Sequence, residues 1–285
     1  MTYNSENTKS SLGVMTNPVI RKLGKVREEV PSGQRAASYG GVISKTAFFL
    51  LLTAVGIAAY FIFHAYLEAT GGLTINFESN KGVIFVQTAT IEIIVLTACG
   101  VVALITALLS SFVRSIIPVT GTIYVLAEGY LLAFISNSLA TNYRYLAFMA
   151  LVITICLVLV MLTIFRAGVR VPSRFRRVIG IAFGTIILSS IVLFILNLIP
   201  GLSGAMSVIN QVMANPVVAV VFGIFFIFVA CLFLLSDFES VRDIVEGGLP
   251  KKYEWTCAFG IAYTVLYLYL KILELLIRLV GNSKK

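Results

Sequence analysis

Seven long apolar runs separated by short polar stretches set the pattern of this chain. They cover about residues 47–68, 91–113, 119–139, 145–165, 178–199, 216–235 and 255–277. Each is close to the roughly 20 residues a helix needs to cross a hydrocarbon core. A further apolar stretch at 83–89 makes the second run long enough to tilt. The last run differs from the others. With Thr256 at zero on a helix of about 3.6 residues per turn, Gly260, Tyr263, Thr264, Tyr267, Lys271, Glu274 and Arg278 fall in one sector of roughly 100°. Such a stripe suits a helix that lies on a membrane surface or one that stands inside a bundle. Six other apolar runs are available to surround it, so the pattern predicts an all-α integral membrane protein, a seven-helix bundle with the last helix central. The stretch before it, 236–254, reads as an acidic turn.

Composition agrees. Of 285 residues, 59% are hydrophobic and 12% charged, against about 25% charged in a soluble domain. The net charge of +9 does not predict a nucleic-acid partner, because the basic residues sit at the ends of apolar runs, where they orient helices in a bilayer. With the N-terminus in the cytoplasm, sixteen of the 22 basic residues lie inside. The basic C-terminus falls on the outside in this arrangement, which leaves a re-entrant last segment or one miscounted span as the alternative. Residues 1–45 are polar, basic and punctuated by Pro and Gly. They are expected to be a disordered cytoplasmic tail with a short helix near 19–30, and 46–285 the membrane domain. The first apolar run starts too late, and is too long, for a cleaved signal peptide.

Few residues could carry chemistry. Cys99, Cys156, Cys231 and Cys257 occupy different runs and are expected to be buried neutral thiols, with no metal or redox role. An ionisable group in mid-membrane costs about 2.5 kcal/mol or more, so the candidates are Glu92, Glu128, Asp237, Lys271 and Glu274. Lys271, Glu274 and Arg278 are spaced so that the glutamate bridges both cations at a helix end. Glu128 lies near mid-depth on a face with Tyr124 and Asn137, either as a packing residue or as a functional one. Asp237 is either an ion-path carboxylate or an interfacial one in a solvated acidic loop with Glu239, Asp243 and Glu246. His64, the single histidine, sits with Tyr60 and Tyr66 as an interface anchor, the alternative being a pH switch.

No enzyme is expected. Gly201-Leu-Ser-Gly204 resembles the GxSG of intramembrane serine proteases, but no histidine follows Ser203 to act as base. There is no GxGD and no phosphate-binding loop. Gly180 and Gly184 make a small-xxx-small pair that indicates helix packing at most.

Several stretches together carry a family resemblance. They are Asn17-Pro-Val-Ile-Arg-Lys22, Tyr124-Val-Leu-Ala-Glu-Gly-Tyr130, Ser236-Asp-Phe-Glu-Ser240, Gly247-Gly-Leu-Pro-Lys-Lys-Tyr-Glu-Trp255 and Leu266-Tyr-Leu-Tyr-Leu-Lys-Ile-Leu273. From Asn17 onward the chain resembles the Bax inhibitor-1/YccA-like family, in its bacterial branch. The resemblance implies seven spans around a central last helix, a multi-pass place in the plasma membrane, and a pH-sensitive calcium leak governed by two aspartates on the last two helices. Asp237 matches the first. The second would fall near Thr264, and no Asp or Glu occurs between Glu254 and Glu274. Asp237, Glu128 and Thr264 are therefore the gating and ion-path candidates, with Glu92, Lys271 and Glu274 secondary. The lipid bilayer is the expected partner, no cofactor is expected, and Ca2+ would be the transported ion. The alternative is a regulator that binds another membrane protein, such as a membrane protease, with no ion path.

Overall fold

The computed structural model describes residues 36–70, 90–139, 143–168 and 215–282, with isolated positions between 172 and 192. Among them lie six long helices and no strand. They are α1 (Tyr39–Ala69), α2 (Thr90–Phe112), α3 (Ile117–Ser138), α4 (Tyr145–Arg166), α5 (Pro216–Glu246) and α6 (Tyr253–Asn282). A short 3-10 turn, Arg114–Ile116, joins α2 to α3. All six are long and apolar enough to cross a membrane. The expected span at 178–199 is described only at isolated positions, and its glycine pair, the 201–204 motif and the 19–30 helix lie outside the described residues.

The helices run longer than the apolar count predicts. α1 opens at Tyr39, inside the stretch read as tail, because Ser38 caps it: Gly41 N donates to Ser38 Oγ at 3.0 Å. α5 continues to Glu246, so the acidic loop expected at 236–254 is mostly helix. Phe238, Val241 and Ile244 recur at helical spacing and are buried in the main core. The helix stops at Gly247-Gly248. Leu249 N donates to Ile244 O and Gly248 N to Val245 O, each at 3.1 Å, and Gly248 has φ of 64°. This is the paired bonding of a Schellman stop, which needs a residue at ease with positive φ.

The last helix packs against α1, α3, α4 and α5, as a central helix should. Thr264, Ala262, Leu266 and Leu268 on its different faces are all buried. The polar stripe is therefore not its only inward side, and α3 is the more deeply buried of the two helices. The reason is close packing of α3 against both α1 and α2. A Cβ on Gly129 would overlap the Thr53 carbonyl oxygen, and one on Gly56 the Leu126 carbonyl oxygen. The backbones of α1 and α3 thus touch through two glycines. Gly129→Ala is expected to cost about 1–3 kcal/mol by overpacking, read as an earlier unfolding transition in detergent. Gly100→Ala meets open space and should stay within about 0.5 kcal/mol of wild type. Equal effects of the two substitutions would refute the close approach.

The four cysteines are unpaired, but only Cys231 and Cys257 are buried; Cys99 is intermediate and Cys156 exposed. The expectation of four buried thiols fails at Cys156 and is only partly met at Cys99, because an apolar outer face, as a bilayer requires, suits a thiol as well as a core does.

Candidate functional site

Two polar sites occupy opposite ends of the bundle. The first joins the last two helices. Thr264 Oγ donates to Asp237 Oδ2 at 2.7 Å. Thr264 is 7% exposed, and Asp237 is half-buried beside it. Gly260, one turn before Thr264, lies beside the carboxylate, and a Cβ there would make only an ordinary 3.6 Å contact with Asp237 Oδ1. Cys257 adds a buried thiol one further turn away, within reach of the Asp237 and Asp243 charges. Asp237 lies on the order of 15 Å along its helix from the Gly247 turn. It is not in a solvated loop. Glu239, grouped with it in the sequence, is buried and bonded to Arg242 at 3.2 Å. Arg242 also donates to the Phe165 carbonyl at 3.2 Å and lies over the Phe165 ring, tying α5 to the end of α4.

Glu128 sits apart from this pair. It is partly buried on α3, and the Tyr124 and Tyr263 side chains lie within reach of its charge. Tyr124 and Tyr263 rings are 5.4 Å apart, linking α3 to the stripe of α6. Asn137 does not join Glu128, although the sequence places them on one face. Nine residues span about 13 Å of helix, and Asn137 belongs to the second site.

That second site lies at the far end. His64 on α1 bonds through Nδ1 to Glu92 Oε1 on α2. Asn137 Nδ2 on α3 donates to Tyr60 OH at 3.0 Å and approaches His64 Nε2 at 3.3 Å. Arg144 Nη2, just before α4, donates to Asn137 Oδ1 at 3.3 Å. The Tyr60 ring stacks on His64 with centroids 5.6 Å apart. His64 is thus part of an inter-helix network. Sequence reading missed this because the five residues are scattered from Tyr60 to Arg144 over separate helices, and only their common depth could have signalled it. Lys271, Glu274 and Arg278 form the bridge their spacing predicts, at 2.9 and 2.6 Å. Lys271 also lies near the Phe226 and Tyr267 rings.

A third constellation, also missed, closes the first end. Glu254 is fully buried and accepts from Ser38 N at 2.9 Å and Ser38 Oγ at 3.3 Å, and it pairs with Lys45. Ala37 N donates to Leu249 O at 2.8 Å beside it. Among the described residues no group of three or more His, Cys, Asp or Glu side chains could hold a metal ion.

Long apolar helices enclosing a few paired polar groups define a multi-pass helical membrane protein. The family model described as Bax inhibitor 1 like matches residues 17–281, and the chain belongs to that family. No curated protein and no solved structure matches the chain.

Proposed function

We propose that this is a seven-span plasma-membrane protein, N-terminus in the cytoplasm, that leaks cations, calcium foremost, without enzymatic activity or cofactor. The observation that carries the reading is the Thr264–Asp237 hydrogen bond across the last two helices. It supplies at Thr264 a partner for Asp237 where the family resemblance calls for a second carboxylate. A hydroxyl donor holds an ionised carboxylate and ties the two helices together. Protonation removes the charge and weakens that tie, so release should rise as pH falls. Glu128, near mid-depth, then offers the ion a stopping place.

The test is purified protein in calcium-loaded vesicles beside protein-free vesicles. Protein-dependent release supports the leak. No release at any pH would leave the regulator of another membrane protein as the reading to adopt. Glu128→Gln should slow release about tenfold, equivalent to about 1.4 kcal/mol on the barrier. Unchanged release would make Glu128 a packing residue.

A further inference from the structure

The far-end network has a property that neither the sequence nor the leak reading requires. Hydrogen-bond donors and acceptors along it fix one arrangement. Arg144 can only donate, so the Asn137 atom facing it is the carbonyl oxygen. The amide nitrogen then faces Tyr60 OH and His64 Nε2. An amide nitrogen only donates, so Nε2 must be the bare, accepting nitrogen. The proton of the neutral ring is therefore on Nδ1, directed at Glu92 Oε1. Glu92 is 1% exposed, and its other oxygen has no partner among the described residues, nor does the buried Tyr130 hydroxyl near it. A buried carboxylate with one oxygen unserved is a costly arrangement, and a positive charge on the adjacent ring would neutralise it.

A charged imidazole donates from both nitrogens. Its Nε2–H cannot face the Asn137 amide nitrogen. The amide must turn over, presenting Oδ1 to His64 and its nitrogen to Arg144. Arg144 then faces a donor and loses its bond, while the Tyr60 hydroxyl can turn to donate to Oδ1. We propose that His64, Glu92 and Asn137 form a proton-binding site that exchanges the Arg144–Asn137 hydrogen bond for a bound proton. The proton comes from solvent and rests on His64 Nε2; no other covalent bond changes, and the Asn137 hydrogen bonds to Tyr60 and His64 reverse direction as the amide turns. Titratable groups facing the site are Glu92 and Cys99 on α2, Tyr60 on α1, Tyr130 on α3 and Arg144 before α4. On α6, Lys271, Glu274 and Arg278 are engaged with one another. The consequence is a proton-dependent release of Arg144, just before α4, from Asn137 near the end of α3. It stands whether or not the protein conducts ions.

The chain has one histidine, so nitrogen-15 labelled histidine gives one imidazole in the full-length protein in nanodiscs. Above its transition the ring should show a protonated Nδ1 and a bare Nε2. On acidification it should take up one proton at Nε2. Arg144→Gln replaces the donor-only cation with a neutral amide that can also accept from the turned-over Asn137, and should raise the proton affinity about tenfold, whereas Arg144→Lys, which keeps a cation that only donates, should stay near wild type. Glu92→Gln should lower the affinity about tenfold or more. A neutral ring protonated on Nε2, or no proton uptake on acidification, overturns the proposal from the wild-type spectrum alone. So does an Arg144→Gln titration that coincides with wild type.

Discussion

Asp237→Asn is expected to fix calcium release at one rate across pH, a rate close to that of the wild type in acid. The amide has the carboxylate's shape but no charge to lose. In the wild type Thr264 Oγ donates to Asp237 Oδ2 at 2.7 Å. A hydrogen bond to a charged group contributes about 1.5–3 kcal/mol, roughly twice a neutral one. The ionised form therefore favours the joined helices, and the closed state is lost as pH falls and the carboxyl takes a proton. Thr264→Val removes the donor and keeps the carboxylate. It should speed release near neutral pH about tenfold or more, while some pH response survives because Asp237 still titrates. The two variants thus separate the charge from the bond. Wild-type pH dependence in Asp237→Asn would remove Asp237 from the gate. Release from Thr264→Val at the wild-type rate would mean the hydroxyl is only a packing partner.

The largest stability effect is expected at Glu254. Its carboxylate is fully buried and serves Ser38 and Lys45 together. A Cβ at Gly41 would collide with it, so the start of α1 is shaped around this one side chain. Lys45 also lies over the Trp255 ring at 5.1 Å. Removing one member of a buried pair leaves the other charge uncompensated, at a cost of about 3–5 kcal/mol. Lys45→Met and Glu254→Leu should each lose about that much, measured by detergent-titrated unfolding. The double variant should recover a good part of the loss, because no buried charge remains. Single variants within about 0.5 kcal/mol of wild type, or a double variant as weak as the sum of the two, would count against the pair.

Local chemistry was legible in the sequence. Apolar run length predicted where all six described helices lie, to within a few residues in their apolar parts, because hydrocarbon thickness sets a minimum that every span must meet. The i, i+3, i+7 spacing of Lys271, Glu274 and Arg278 predicted their bridge, because those positions share a helix face whatever surrounds them. Candidate status for Asp237, Glu128 and Glu92 followed from the cost of placing charge in an apolar run. The helix ends were less legible. α5 extends through Asp243 to a Gly-Gly stop, since its polar end still packs Phe238, Val241 and Ile244 against the core. Hydropathy registers the change in polarity there and not the unbroken backbone bonding.

Only the tertiary structure decided which residues meet. Asp237 and Thr264 are 27 positions apart, His64 and Glu92 28, and Ser38 and Glu254 216. A single sequence gives each helix its depth scale but not its rotation or its neighbour. Rotation is set by where backbones can approach, and here Gly56 and Gly129 allow α1 and α3 into contact. That contact helps bring Tyr60 and His64 of α1 to Asn137 of α3, and so makes one network of residues that looked unrelated along the chain.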